Sequence, residues 1–378
     1  HDNSILIRTP ALAAVLLPRR IFNWSFETVP QTGLNGRRGY QPRGRALGGS
    51  SAINAMVYTR GHADDYNDWE RMGNAGWGYA GVLPYFRRAE NNERGADDFH
   101  GTGGPLNVAD VRSGLDAASR AFIDSAAATG VRRNADFNGA AQEGVGFYQV
   151  TMKDGVRCSA ARAYLSLAAR RPNLAVFTKA NAVRLAMDVR RCHGVEALVH
   201  GRLRRLRARR EVLVAAGAFG SPQLLLLSGI GPAEELRRHG IALRHELAGV
   251  GRGLRDHIDY IVGSTSPRRD VLGFSPSGIA RLVAGVFEYR RRGRGIPATN
   301  FAESGGFLKT RPGLARPDVQ LHFVPAIIED HARCIHLAHG FSCHVSVLRP
   351  ESAGSVRLAS ANPLAPPFAL ANDNCTAA

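Results

Sequence analysis

Apolar positions along the chain fall into short continuous runs rather than long periodic stretches. Val212-Leu213-Val214-Ala215-Ala216 is apolar throughout and stops at Gly217, as a strand buried on both faces should. Ser221-Pro222 then reads as a helix cap with proline at the first helical position, and Gly229 as a left-handed terminator after Leu227. A strand, a tight turn and a helix start leave N–H groups free for a phosphate, although any βα unit does the same. Further strands are predicted over residues 174–178 and 342–348. A helix is predicted over 52–58, after Gly48-Gly49-Ser50-Ser51. Polar loops rich in Gly and Asn cover 91–104 and 134–146, and no internal repeat is present. The mixture predicts an α/β nucleotide-binding core carrying a second region.

The 378 residues are 44% hydrophobic and 21% charged, enough for one large domain or two ordinary ones. No run of about 18 apolar residues exists, so no membrane-spanning helix is expected. No signal-peptide pattern opens the chain, and its first residue is His1 rather than Met, which predicts upstream sequence. The net charge is +17 and almost all arginine, since Lys153, Lys179 and Lys309 are the only lysines. Such a charge suits an acidic partner. The densest run, over 202–210, has no interleaved aromatics for bases to stack on and reads as a solvated hairpin, so no nucleic-acid partner is expected. Five cysteines without a CxxC pair indicate a reducing, cytoplasmic-type compartment. His331, Cys334, His336, His339, Cys343 and His344 match no common zinc spacing, and no metal site is expected.

Two stretches carry a specific resemblance. One is Pro42-Arg43-Gly44-Arg45-Ala46-Leu47-Gly48-Gly49-Ser50-Ser51-Ala52-Ile53-Asn54-Ala55-Met56-Val57-Tyr58-Thr59-Arg60-Gly61. The other runs from Gly217-Ala218-Phe219-Gly220-Ser221-Pro222-Gln223-Leu224 to Leu227-Ser228-Gly229-Ile230-Gly231-Pro232. Both are similar to the signature segments of the glucose–methanol–choline (GMC) oxidoreductases, in their choline or alcohol dehydrogenase-like branch. Asn23-Trp24, Asp65-Tyr66, Leu83-Pro84-Tyr85-Phe86 and Leu254-Arg255-Asp256-His257 extend the similarity, which covers about residues 22–367.

The resemblance implies a flavoprotein with a doubly wound, Rossmann-like FAD domain and a substrate domain built on an antiparallel sheet. It assigns 1–61 and 160–256 to the FAD domain, 62–159 to a lid or interface insertion and 257–367 to a partial substrate domain. Residues 368–378 form a tail without family character. It implies FAD contacts at Ala46, Gly48, Gly49, Ser50, Ser51, Asn54, Ala55, Met56 and Val57, at Val183 through its backbone, and at Ala216 and Gly217. Glycines and serines let the backbone approach a flat anionic cofactor closely. Ile53 stands where some relatives carry a flavin-tethering histidine, so the FAD should be held non-covalently. Glu303 resembles the carboxylate that choline-oxidising members supply to the pocket. Charge and ring faces there would suit a quaternary ammonium, against the plainer reading of a carboxylate paired with an arginine.

Other family features are missing from the sequence. No strand with G-x-G-x-x-G is found, and no C-terminal H-P-x-G-T segment, so no catalytic residue is assigned. In the family a histidine base takes the alcohol proton while hydride passes to the flavin. The expectation is a truncated, catalytically incomplete chain of an oxidoreductase acting on choline or another primary alcohol, with weak FAD binding or none and with the electron acceptor open. It would lie in the cytoplasm or peripherally at the inner membrane. The alternatives are a hydroxynitrile lyase of the same scaffold and a non-catalytic remnant.

Overall fold

The computed structural model describes residues 3–370. The elements that position the site are strands β1 (Gly144–Phe147), β2 (Ala180–Met187), β3 (Cys192–Val199), β4 (Arg202–Arg207), β5 (Asp259–Thr265), β6 (Ser304–Leu308), β7 (Val319–Val324) and β8 (Gly340–Val347). The helices are α1 (Asp116–Ala128), α2 (Gly217–Leu227) and α3 (Pro276–Arg292). The chain divides into two compact units. One comprises 1–25, 42–171 and 257–349, and the other 26–41, 172–256 and 350–378. The expected boundaries differ from this division, because the 62–159 excursion and the residues after His257 build one unit together with the 42–61 signature.

In the first unit β5, β8, β7, β6 and β1 form a five-stranded sheet in that order, every neighbour antiparallel. The antiparallel sheet expected after His257 is present, with one added strand, β1, supplied by the excursion. One face packs on α1, where Phe122 stacks on Phe323 at 4.8 Å between centroids and Ala118 and Val271 complete the cluster. Strand pleating puts Gln320, His322, His344, Ser346 and Asp259 on the opposite face. Polar groups there pair with each other. Asp259 accepts from His344 Nδ1 at 2.6 Å and from Ser346 at 3.2 Å. Gly305 sits against Tyr148, whose ring would lie 2.7 Å from an added Cβ.

A buried ionic network fastens the excursion. Arg60 Nη2 lies 2.6 Å from Glu90 Oε1, with both side chains almost fully buried. His100 Nδ1 lies 3.0 Å from the same oxygen and 2.9 Å from Asn92 Nδ2, while its Nε2 lies 3.0 Å from Asp136. Protonated, the ring donates to both carboxylates. Asp136 first and Glu90 second hold the imidazolium, pushing its pKa up to about 9.

The second unit holds an antiparallel sheet in the order β4-β3-β2. The arginine-rich run does form its hairpin, as β4 paired with β3. Glu196 on β3 clamps Arg184 at 2.7 Å and Arg205 at 2.6 Å across the sheet. Phe368–Leu370 pairs with Gly354–Arg357, so the tail expected to lack family character begins with a strand. The rest of that tail, Cys375 included, lies outside the described residues.

Three local expectations are corrected. Residues 212–216 and 174–178 form no ladder with any described residue, because an apolar run becomes a strand only where a neighbour completes its hydrogen bonds. Leu213 is 80% exposed, although Val212 and Val214 pack on Leu185 and Leu224. The helix expected over 52–58 does not form beyond Ala52, since the single turn at Gly49–Ala52 breaks where the Asn54 side chain accepts from the Met56 N–H. Helix α2 starts at Gly217 rather than Pro222, and Ser221 bonds Ala216 N at 3.0 Å from inside the helix. Its stop at Gly229, φ +82°, is as expected.

His100 carries a pH consequence. A pKa raised in the folded state gives stability that is complete below the unfolded value of roughly 6.5. That stability is lost as pH rises through about 9. The melting temperature should therefore fall from pH 6.5 to 9.5, and His100→Asn should flatten that decline; an unchanged slope in calorimetry contradicts it. Glu90→Gln, which strands the buried Arg60, should cost about 3–5 kcal/mol in chemical denaturation.

Candidate flavin-binding site

The 42–61 segment is a backbone-built surface. Gly48 and Gly49 adopt φ +89° and +55°, the left-handed conformation open to glycine, and initiate the turn at Gly49–Ala52. Gly44 packs beneath it so closely that a Cβ would lie 2.0 Å from Gly49 O. Ser51 Oγ bonds Gly48 O at 2.6 Å and accepts from Ala160 N at 2.9 Å. Ala52 and Ile53 are buried with Ile7 and Leu16, and Ala46 packs against that cluster. Met56 is buried with Val150 and Met152. Ser50, Asn54 and Ala55 are exposed. The segment therefore anchors its side chains inward and leaves a main-chain edge outward.

Two non-glycine residues there hold unfavourable backbone conformations, Met56 at φ +59° and Phe301 at φ +67°. Such residues persist only where their surroundings over-determine them, and they concentrate at ligand sites. Here Asn300 Nδ2 bonds Ala55 O at 2.8 Å, joining the two strained segments. Thr151 N bonds Met56 O at 2.9 Å, and Phe301 N bonds Thr299 Oγ1 at 2.9 Å.

Sequence reasoning missed Arg157, the residue that holds this segment from behind. Its guanidinium is fully buried and has no carboxylate partner among the described residues. It donates to Ile7 O at 3.0 Å, Ser51 O at 3.2 Å, Asn54 O at 2.7 Å and Asn54 Oδ1 at 2.8 Å. Burial pushes its pKa down to about 10. Among so many arginines nothing in the sequence marks this one; only its place before Cys158-Ser159 in a polar-to-apolar transition sets it apart. Arg157 also lines a cavity of about 550 Å³ with Arg8, Arg162, Ser159 and Asn3, and no acidic side chain lines it.

Glu303 is 2% exposed, just before β6. The arginine pairing weighed from sequence is not what the structure shows. Thr299 Oγ1 donates to the carboxylate at 2.5 Å, and the Ser113 side chain also bonds it. Burial raises its pKa above the ordinary carboxylate value. The ring of nearby Phe307 packs on Phe137 and Tyr148 rather than forming a cage with it.

Val183, Ala216 and Gly217 lie in the second unit. Arg184 pairs with Glu196 and Ala182 with Ala197, so Val183 is the extra residue of a β-bulge, its backbone released from the ladder. Ala216 and Gly217 are exposed at the start of α2, and a Cβ on Gly217 would meet nothing within 4 Å. Three histidines of the 331–344 stretch have separate partners. His339 bonds Val271 O and the Ser275 hydroxyl, His344 pairs with Asp259, and His336 lies 3.2 Å from Glu329.

The GMC oxidoreductase family matches residues 4–259. The chain belongs to the GMC oxidoreductases. This GMC chain is 42% identical over 371 residues to an alcohol dehydrogenase (acceptor) of Pseudomonas putida, covering 97% of the chain and 67% of the relative. It is 40% identical to an oxygen-dependent choline dehydrogenase of Vibrio vulnificus, over 97% of the chain and 65% of that relative. To human mitochondrial choline dehydrogenase it is 40% identical, over 94% and 60%. It thus spans about two thirds of the length of these relatives. Among solved structures, pyridoxine 4-oxidase from Mesorbium loti superposes with a TM-score of 0.84 at 27% identity, over 97% of this chain and 68% of that one. Formate oxidase shares the fold, with a TM-score of 0.85 at 24% identity over 98% and 70%. The family and its structural neighbours are FAD-binding flavoproteins.

The residues present fit such a cofactor. A Cβ at Gly49 would meet no atom within 4 Å, so the backbone there is open to close approach, and a cation-lined cavity adjoins Arg157 behind the same loop. Gly44→Ala should disorder residues 48–57, because backbone cannot yield 2.0 Å cheaply. Faster amide hydrogen exchange confined to that loop would show it, and unchanged exchange would refute it. Arg157→Gln, which strands carbonyls that cost about 1–3 kcal/mol each when buried unbonded, should lower the melting temperature and speed exchange in the same loop.

Proposed function

We propose that this chain is the flavin-cradling part of an FAD-dependent oxidoreductase acting on CH–OH donors, with choline or another primary alcohol as substrate. The observation that carries the reading is the strained loop of a GMC chain, its side chains anchored inward and its main-chain edge exposed, clamped by Arg157 and Asn300. Ala46, Gly48, Gly49, Ser50, Ser51 and residues 54–57 would hold the isoalloxazine end of FAD. The released backbone of Val183 would receive the adenine, with Ala216 and Gly217 close to the cofactor. FAD, when bound, supplies the two-electron oxidant that alcohol oxidation needs. Ile53 offers no nucleophile for a flavin bond, so the cofactor is held non-covalently.

Glu303 would bind the ammonium of choline. Its desolvated carboxyl already has Thr299 and Ser113 as donors, so a cation arriving in that low-dielectric site would draw it to the ionised form. No residue of this chain is proposed as the base. The protein would be cytoplasmic and peripheral at the inner membrane; no described helix is long and apolar enough to cross a membrane.

The reading is tested by titrating the protein with FAD, following quenching of flavin fluorescence, and then adding choline or a primary alcohol without oxygen. Weak, saturable binding is expected, with all flavin released into the supernatant on acid precipitation; no quenching at any FAD concentration overturns the reading, and bleaching of the bound flavin would show that the chain also supplies its own base. A band indifferent to every alcohol while a cyanohydrin is cleaved would replace the reading by a lyase. Glu303→Gln should weaken choline binding about tenfold or more, as loss of a charge-assisted contact of about 1.5–3 kcal/mol implies, while an uncharged alcohol binds as before.

A further inference from the structure

Helix α3 is built inside out. Its inward side is glycine: a Cβ at Gly278 would lie 2.3 Å from Gly273 O, and one at Gly285 3.2 Å from Ile296 N. Its N-cap Ser275 accepts from Gly278 N and contacts buried His339, and Tyr289 bonds Gly155 O at 3.1 Å, so the helix is seated firmly. The outward side, in contrast, is apolar. Ile279, Leu282, Val283 and Val286 recur at helical spacing with Phe287, which is 63% exposed, and Phe274 just before the helix is 65% exposed. Outward apolar side chains this close together are rare on a soluble surface unless something covers them.

The charge around the stripe indicates what covers it. Arg290 and Arg291 lie in the last turn, and Glu288 is the only acid in the helix; Arg292 and Arg294 instead line a cavity with Glu93, Asp110 and Asp154. None of these arginines makes an ion pair among the described residues. A second copy of a chain carrying +17 would be repelled. A surface offering both hydrocarbon and dense negative charge would be attracted, as for helices that lie in the plane of an anionic bilayer. We infer that the outward face of α3 inserts into the headgroup region of an anionic lipid bilayer, with Arg290 and Arg291 on the lipid phosphates. This deepens the peripheral-membrane part of the function proposed above and is independent of flavin chemistry.

Sedimentation of the full chain with vesicles tests it, using phosphatidylcholine alone and phosphatidylcholine with about one third phosphatidylglycerol. The chain should sediment with the anionic vesicles, less so at high salt, and hardly with the neutral ones. Leu282→Ser with Phe287→Ser removes exposed side chains only, so the circular-dichroism melt should be unchanged while vesicle affinity falls at least roughly tenfold. Arg290→Ser with Arg291→Ser should abolish the preference for anionic vesicles. If the apolar variant binds like the parent, membrane association stands but α3 is not the face. If the parent binds no vesicle, both readings fall. A dimer in light scattering that the apolar variant dissolves would assign the stripe to a second copy and overturn the inference.

Discussion

A cation without a counter-ion among the described residues holds the candidate site together. Burying a guanidinium costs several kcal/mol, and Arg157 offsets that cost with carbonyls alone, from Ile7, Ser51 and Asn54. Two of those carbonyls, Ser51 O and Asn54 O, lie on the inward side of the 48–57 loop. A peptide whose oxygen is fixed inward has its N–H directed away, so the outward edge of the loop is set from behind by one side chain. Asn300 repeats the device at Ala55, and the strained conformations of Met56 and Phe301 are held between the two.

Around this clamp the first unit uses two kinds of support. Apolar clusters seat Ala52, Ile53 and Met56, while the Arg60–Glu90–His100–Asp136 network fixes the chain directly after the loop. The two differ in what they tolerate. A packed methyl can be exchanged for one of similar volume at small cost. A buried ionic network is satisfied only when all its members and their protons are present.

The family and the loop were legible in glycines and serines at fixed spacing, which have few structural uses, and the antiparallel sheet only through the family resemblance that those residues carry. Gly229 ended its helix as expected for the same local reason. Strands at 212–216 and 174–178 were not legible, since an apolar run does not say whether a ladder partner stands beside it. The helix expected at 52–58 failed because the Asn54 side chain competes for the backbone, a contest that propensity does not register. Arg157 and the partners of Glu303 depend on residues more than a hundred positions apart in one case and on Ser113 in the other. No local pattern encodes such meetings.

The bulge at Val183 has a consequence for how such a protein drifts over generations. Where main chain alone is presented, the genetic code has little purchase, and most substitutions there leave the peptide group where it was. Were the released peptide at Val183 to receive the adenine as proposed, that contact would outlast the spelling of the segment that provides it.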